Sequence, residues 1–338
     1  MEWNTRVTDL LGCRYPILEG AYAGIGNWRF AAAVADTGAY GLITASAYRT
    51  PEKLREAIRN CRDATGGAFG VNLSFGVCPR IEEMLEVCIE QEVPVETAGY
   101  KPDSLAPRIK EAGLTWVHKC ARVRDGVHAE KLGADAIIVV GLEGVGFKNP
   151  DQLPTMITTI QAVRALEVPF IAAGGIGDAH GFLGALGMGA EAIMMGTAFM
   201  ATDECPLGEK AKEKIVRSSP YHPQLRSQVL SPPDPVAFKE AMGLRDQMPV
   251  DEWLRMMERV NFKDQEWKTD IDPAGEFGFE DEWTGEKPSK IVSLAVGVLD
   301  RVVSCKNLVD GIVQGAEELL DGWEFLKTRS VNHDSTSD

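Results

Sequence analysis

PFIAAGGIGDAHGFLGALGMGAEAIMMGTAFM, residues Pro169–Met200, is the stretch that decides the fold. It reads as strand, glycine turn, helix, strand, glycine turn. The apolar run Pro169–Ala173 stops at Gly174-Gly175. Phe182–Leu186 carries apolar residues at helical spacing and ends at Gly187 and Gly189. Glu191–Met195 is a second apolar run, stopped by Gly196-Thr197. Two short strands around a short helix form a right-handed βαβ unit with parallel pairing. Each strand gives way to glycine, where backbone N–H groups can converge on an anion and no side chain blocks its approach. Two such turns on neighbouring strands match the phosphate site after strands 7 and 8 of a (β/α)8 barrel. The plainer alternative is that these glycines only tighten turns. A dinucleotide fingerprint fits poorly. His180 stands where Gly175-Ile176-Gly177 would need a third glycine, and no acidic residue ends the following strand.

Outward from this unit, the 338 residues leave room for a barrel of about 250 plus an insertion. With 44% apolar residues the chain can bury a large core. A net charge of −15 argues against nucleic acid and anionic membrane as partners, since both select basic surfaces. An anionic substrate would need only a local basic pocket. The seven cysteines are scattered without a Cys-x-x-Cys pair, so neither a disulfide framework nor a metal site is expected. The opening MEWNTRVTDLLG has no signal pattern, and no apolar run reaches about 18 residues. A reduced, cytoplasmic setting follows as the expectation.

Six further apolar runs precede the central unit. They are Tyr15–Glu19, Gly41–Thr44, Phe69–Leu73, Val93–Glu96, Thr115–Lys119 and Ala136–Val140, separated by stretches of helical spacing. Eight short strands alternating with helices predict an α/β protein, a (β/α)8 TIM barrel, with a doubly wound sheet as runner-up. The barrel is assigned to 1–205 and 290–328. A helical and aromatic insertion after strand 8, a candidate lid, is assigned to 206–289, and a flexible tail to 329–338. Within the insertion, helices are expected over Leu207–Arg217, Pro235–Met242 and Val250–Val260. Further helices are expected over Lys290–Arg301 and Asn307–Leu326.

In a parallel barrel the site is built at the C-terminal ends of the strands. That selects Ala21, Tyr22 and Ala23 after the first strand, Asn72, Lys119, and the loop Gly141–Pro150, besides Gly174, Gly175, Gly196 and Thr197. Asn72 offers a donor and an acceptor to a planar heterocycle, or is a satisfied capping amide. Lys119 pairs with a phosphate or a reduced cofactor's negative charge, or with a barrel carboxylate such as Glu19 or Glu96. His118 precedes Lys119 in a strand and so points to the opposite face. The loop Gly141–Pro150 holds Gly144 and Gly146, small enough for a flat cofactor to lie against the backbone. Glu143 is its only carboxylate. Glu143, Lys148 and Tyr22 are the candidates for proton transfer.

These motifs carry a resemblance. PILEGAYAG (Pro16–Gly24), FGVNLSF (Phe69–Phe75), VHKCARVRDGVHAEKLGADAI (Val117–Ile137), AAGGI (Ala172–Ile176) and MGTAFMATDECP (Met195–Pro206) resemble the nitronate monooxygenase family, whose relatives include flavin-dependent enoyl-thioester reductases. The resemblance implies a TIM barrel that holds FMN without a covalent link. It implies Gly174, Gly175, Gly196 and Thr197 at the phosphate, Ala21, Tyr22 and Ala23 beside the isoalloxazine, and Asn72, Lys119 and Gly146 in contact with the flavin. It also exposes a departure. The family's catalytic histidine follows a glycine in the β6 loop, and here the pair is Gly146-Phe147. The expected activity is therefore oxidation of a small anionic or carbonyl-activated substrate. The alternatives are reduction or dehydrogenation of an acyl-CoA or carrier thioester, and a non-catalytic flavin-binding subunit. NAD(P)H and O2 are the candidate redox partners, and a homo-oligomer is compatible with the chain.

Overall fold

The first strand, β1 (Ile17–Glu19), is followed by β2 (Gly41–Thr44), β3 (Phe69–Ser74), β4 (Val95–Ala98), β5 (Trp116–Cys120), β6 (Ala136–Val140), β7 (Phe170–Ala173) and β8 (Ala192–Met195). All pair in parallel in the order β1-β8-β7-β6-β5-β4-β3-β2. The ring closes where Tyr40, just ahead of β2, bridges Leu18. The computed structural model describes residues 1–22, 24–145, 153–230, 235–250 and 292–323, with 252–253, 256–257 and 260. This is the expected (β/α)8 barrel, and closure rules out the open sheet.

Side chains alternate along each strand between the barrel interior and the surrounding helices. Leu18, Leu42, Val117, Ile138, Ile171 and Met194 form the buried interior. Ile17, Ile43, Val71, Trp116, Val139 and Ile193 face outward. They meet α2 (Trp28–Ala35), α3 (Pro51–Ala64), α4 (Ile81–Glu90), α5 (Ala106–Glu111), α6 (Val123–Lys131), α7 (Thr155–Ala165) and α8 (Ala179–Gly187). Local chemistry starts several of these helices. Asn27 caps α2 by accepting from Phe30 N, and Asp178 caps α8 by accepting from Gly181 N. Pro51 sits in the first turn of α3, where no backbone donor is needed.

One more helix, α1 (Arg6–Leu11), is too short for periodicity to reveal and lies across the N-terminal end of the strands. Thr5 and Thr8 form a reciprocal capping box that starts it. Val7 and Leu11 join the interior cluster from below. Arg6 reaches Glu191 and the Glu167 carbonyl, just ahead of β8 and β7.

After β8 come α9 (Thr197–Met200), α10 (Glu209–Arg217), α11 (Pro223–Leu230), α12 (Pro235–Gly243) and, at the end, α13 (Cys305–Gly322). The first residues of α13 gain a cap from Ser304, which accepts from Asn307 N. Trp253, Met257 and Val260 pack with Ala241 onto Tyr100 and Ala121, just past the ends of β4 and β5. Arg122 anchors this contact. It is ion-paired with Asp125 and lies over the rings of Tyr100 and Trp253, 5.0 and 5.8 Å from their centroids. Residues 261–289 of the expected insertion and the tail 329–338 lie outside the described residues. Among the described residues no helix is long and apolar enough to cross a membrane.

Two expectations need correcting. The helix expected over Lys290–Arg301 is, in its described part, a single 3-10 turn, Leu294–Val298. Gly297 and the β-branched Val292, Val296 and Val298 explain why no longer helix forms. The fourth strand starts at Val95 rather than Val93, because Pro94 has no N–H to give to the ladder. That shift moves Glu96 from the strand end into the barrel.

His118 faces outward, as alternation requires, and is fully buried. The Trp116 indole N–H donates to Thr97 Oγ1 (2.8 Å), and Thr97 Oγ1 also shares a hydrogen bond with His118 Nδ1 (2.8 Å). Burial pushes the imidazole down to a pKa of about 3 from the ordinary 6.5. Between those values the unfolded chain binds a proton that the native protein does not. Stability therefore falls as pH drops through this window, by up to about 1.4 kcal/mol per pH unit. His118→Asn keeps an acceptor for Thr97 and removes the titration. Its melting temperature, compared with wild type at pH 7, 5.5 and 4, is expected to decline less steeply with acid.

Candidate active site

At the C-terminal mouth, three neighbouring strands each send one polar side chain inward. Asn72 on β3 is in register with Glu96 on β4, and Lys119 on β5 pairs with Ala98, one step further up. Asn72 Nδ2 donates to Glu96 Oε1 at 3.1 Å, and Lys119 Nζ stands 3.1 Å from the same oxygen. Ser74 donates to Asn72 Oδ1 at 2.9 Å. Glu96 and Asn72 are buried, whereas the Lys119 side chain keeps 13% of its surface exposed. Of the two carboxylates considered for Lys119, Glu96 is the partner. Glu19 points the other way, toward the helices. Its Oε2 accepts from Leu42 N at 2.8 Å, and burial pushes its pKa well above the carboxylate range.

Across the mouth, the ends of β7 and β8 form the two glycine turns. Gly174 and Gly175 have φ of +110° and +73°, the left-handed region that glycine enters without strain. A Cβ on Gly175 would press on Glu143 Cβ at 2.9 Å. Gly196 is different. Its φ is −97°, and a Cβ there would meet only Tyr22 Cε1, at 3.9 Å. Its missing side chain therefore leaves space rather than relieving strain.

Tyr22 borders that space. Its ring stacks on Phe30 at 5.8 Å, its N–H donates to Thr44 Oγ1, and its hydroxyl donates to Gly196 O at 3.1 Å. Burial pushes its pKa well above 10, so it holds its proton. Ala21 packs against the barrel interior. Thr197 Oγ1 accepts from Ser293 N at 2.9 Å, tying the segment ahead of α13 to the turn. The hydroxyl keeps its own hydrogen to donate.

Glu143 has a different occupation from the one its sequence position suggested. Its Oε2 accepts from Thr155 N at 2.7 Å, and the single Thr155 hydroxyl hydrogen is shared between Glu143 Oε2 (2.7 Å) and Gly174 O (2.9 Å). The carboxylate thus clamps the start of α7 to the β7 turn. Ala23, Gly146, Phe147 and Lys148 lie outside the described residues. Thr155, Ser293 and Thr44 were missed by sequence reasoning. Only Thr155 had a local signal, following Pro154 at a helix start.

The donor set fits a flavin mononucleotide's chemistry. Side-chain-free turns and a threonine hydroxyl suit a phosphate, and the lysine and amide suit a polar heterocycle. The fold is that of a parallel (β/α)8 barrel with its polar side chains and glycine turns gathered at the C-terminal mouth. Residues 4–233 match the profile of the nitronate monooxygenase family, and the chain belongs to that family. A probable nitronate monooxygenase of Staphylococcus aureus (strain JH9) is 31% identical over 262 residues, 64% of this chain and 73% of that protein. A (3aS,4S,5R,7aS)-5-hydroxy-7a-methyl-1-oxo-octahydro-1H-indene-4-carboxyl-CoA dehydrogenase of Rhodococcus jostii is 26% identical over 96% of this chain and 99% of its own. FabK from Thermotoga maritima superposes with a TM-score of 0.74 at 29% identity, covering 96% and 99% of the two chains. A nitroalkane oxidase from Streptomyces ansochromogenes, at 20% identity and a TM-score of 0.70, shares the fold.

The two turns separate by mutation. Gly175→Val forces a β-branched residue to a left-handed φ, at a cost of roughly 1–2 kcal/mol, and crowds Glu143. Gly196→Val meets neither problem. It is expected to melt with wild type while losing flavin, whereas Gly175→Val loses both stability and flavin. Thermal melts and flavin content after desalting check this. Wild-type flavin affinity in Gly196→Val would reduce that glycine to a turn residue.

Proposed function

We propose that the protein binds FMN at the mouth and oxidises a small anionic or carbonyl-activated substrate there. The observation that carries the reading is the adjacent pair of turns, Gly174-Gly175 and Gly196-Thr197, with open space beside Gly196, where a Cβ would meet only Tyr22. The sequence offers no second nucleotide fingerprint, which favours FMN over FAD. When bound, the flavin supplies two-electron redox chemistry. Lys119, whose charge Glu96 balances, offers its remaining N–H donors at the mouth.

The residues present argue for a substrate that arrives already activated. Among the described residues at the mouth, Glu96 is paired with Lys119 and Glu143 is held by Thr155. Tyr22 is protonated, so it can give a proton but not take one. Phe147 stands where the family carries its histidine base, and a phenyl ring moves no proton. Lys148 remains a candidate donor. A preformed nitronate is already an anion and needs no base, while a neutral nitroalkane does.

A second reading has its own support. The relatives that align with nearly the whole chain include the Rhodococcus CoA-ester dehydrogenase and FabK. The Staphylococcus nitronate monooxygenase aligns with 64% of it. A CoA or carrier thioester, with NAD(P)H as electron donor in the reductive direction, is the substrate class this favours. Unpaired cysteines accord with a reducing, cytoplasmic setting.

The protein is expected to purify yellow and to release FMN on denaturation. Anaerobic bleaching against nitronates, NADH, NADPH and acyl-CoAs separates the readings, and a flavin reduced by none of them would mark a non-catalytic subunit. In oxygen-uptake assays, wild type is expected to turn over nitronates but not neutral nitroalkanes. Phe147→His should raise nitroalkane turnover by ~10²–10⁴-fold, the usual contribution of a general base. Efficient wild-type turnover of the neutral form would show that another residue is the base.

A further inference from the structure

Glu143 links the two glycine turns without belonging to either. Its backbone carbonyl accepts from Leu294 N at 3.1 Å, and the residue before Leu294, Ser293, gives its own N–H to Thr197 Oγ1 at 2.9 Å. Its side chain reaches the other way. Oε2 accepts from Thr155 N at 2.7 Å, and the Thr155 hydroxyl lies between that oxygen and Gly174 O. A continuous run of bonds therefore leads from the β8 turn through 293–294 to Glu143, and on through the start of α7 to the β7 turn. The same side chain stands behind Gly175, where an added Cβ would lie 2.9 Å from Glu143 Cβ. Thr155 and Ser293 are buried, whereas Gly174, Gly175 and Gly196 keep part of their surface open. The tie thus sits behind the turns and leaves their exposed faces clear.

The charge of this residue makes its place informative. A carboxylate behind a phosphate site repels the phosphate, so electrostatics alone would select against an acid here. Its geometry supplies the compensating reason. A main-chain N–H and a hydroxyl converge on one point, and an ionised carboxylate is the stronger acceptor for both. We propose that Glu143 is a positioning residue of the cofactor site. It fixes the two turns relative to one another, and with them the preference for a phosphorylated flavin, by acting through Thr155 and Gly174 on one side and Leu294, Ser293 and Thr197 on the other. The inference rests on the FMN reading and deepens it by naming the side chain that holds the phosphate end in shape.

Riboflavin tests this, because it differs from FMN only in lacking the phosphate. Apoprotein is titrated with each flavin, following flavin fluorescence, for wild type, Glu143→Ala and Glu143→Gln. The ratio of the two dissociation constants is read within each protein, so a general loosening of the barrel, which weakens both flavins alike, does not move it. Wild type is expected to prefer FMN. Glu143→Ala should cut that preference by about tenfold, the upper end of what one hydrogen bond contributes. Glu143→Gln should keep it, since the amide oxygen still accepts from Thr155 N. Removing a negative charge would by itself raise the preference for FMN, so a fall in Glu143→Ala has the sign of lost positioning and not of electrostatics. A preference in Glu143→Ala at or above the wild-type value overturns the role of Glu143 and leaves FMN binding intact, and an equal loss in Glu143→Gln does the same. Should Glu143→Ala fail to fold, Thr155→Val cuts the same run of bonds at its Gly174 end and is read by the same ratio. Wild type that binds both flavins alike, or neither, overturns the FMN reading itself.

Discussion

Everything at the mouth depends on how the barrel closes. β1 is three residues long, yet it must bond to strands on both sides. On one side Gly20 N donates to Met195 O at 2.8 Å, and on the other Glu19 N donates to Tyr40 O and Tyr40 N to Ile17 O. The approach of β1 to β8 is possible because Gly20 has no side chain. A Cβ there would lie 2.9 Å from Gly196 Cα. The same closeness carries Tyr22 to the Gly196 carbonyl and sets the width of the space beside that turn. Closure and site are therefore one constraint, and a side chain at position 20 would disturb both.

A second constraint comes from polar groups inside an apolar barrel. The interior layers below the mouth are mostly aliphatic, with Tyr40 among them, and the top layer holds Asn72, Glu96 and Lys119. Replacing a buried ion pair with apolar side chains is often neutral or stabilising, so stability alone does not explain this layer. Of its three side chains only Lys119 keeps appreciable exposure at the mouth. The outward face tells the opposite story. There Trp116, Thr97 and His118 form a short hydrogen-bonded chain among helices, and Glu19 lies buried with one oxygen unpartnered among the described residues.

Much of this was legible in the sequence for identifiable reasons. Strands β2 and β6 have the bounds read from their apolar runs, and the helix caps at Asn27 and Asp178 are local signals. The turn glycines stand out because each ends a strand. What escapes reading depends on distance in the chain. The apolar run alone puts Glu96 two residues too near a strand end. Pro94 decides where the ladder begins, and the inward direction of Glu96 follows from that register. Glu143 looks like a loop acid, and only the fold brings Thr155 to it. Ser293 meets Thr197 across almost a hundred positions, a contact that no motif encodes. Helix α1 is so short that its capping box is the only signal.

The same division bears on how such a barrel changes its chemistry. Cofactor recognition is written into strand ends and adjacent turns, whose backbone positions the whole ring of hydrogen bonds enforces. Under the function proposed above, proton transfer would fall to a loop residue, and position 147 carries phenylalanine. Exchanging a loop side chain leaves the strands, the glycine turns and the Asn72–Glu96–Lys119 layer untouched. Reaction type can therefore shift by one substitution while the fold and the cofactor requirements persist. Relatives with nitronate and CoA-ester names share similarity with this one barrel, so the family alone does not fix the substrate.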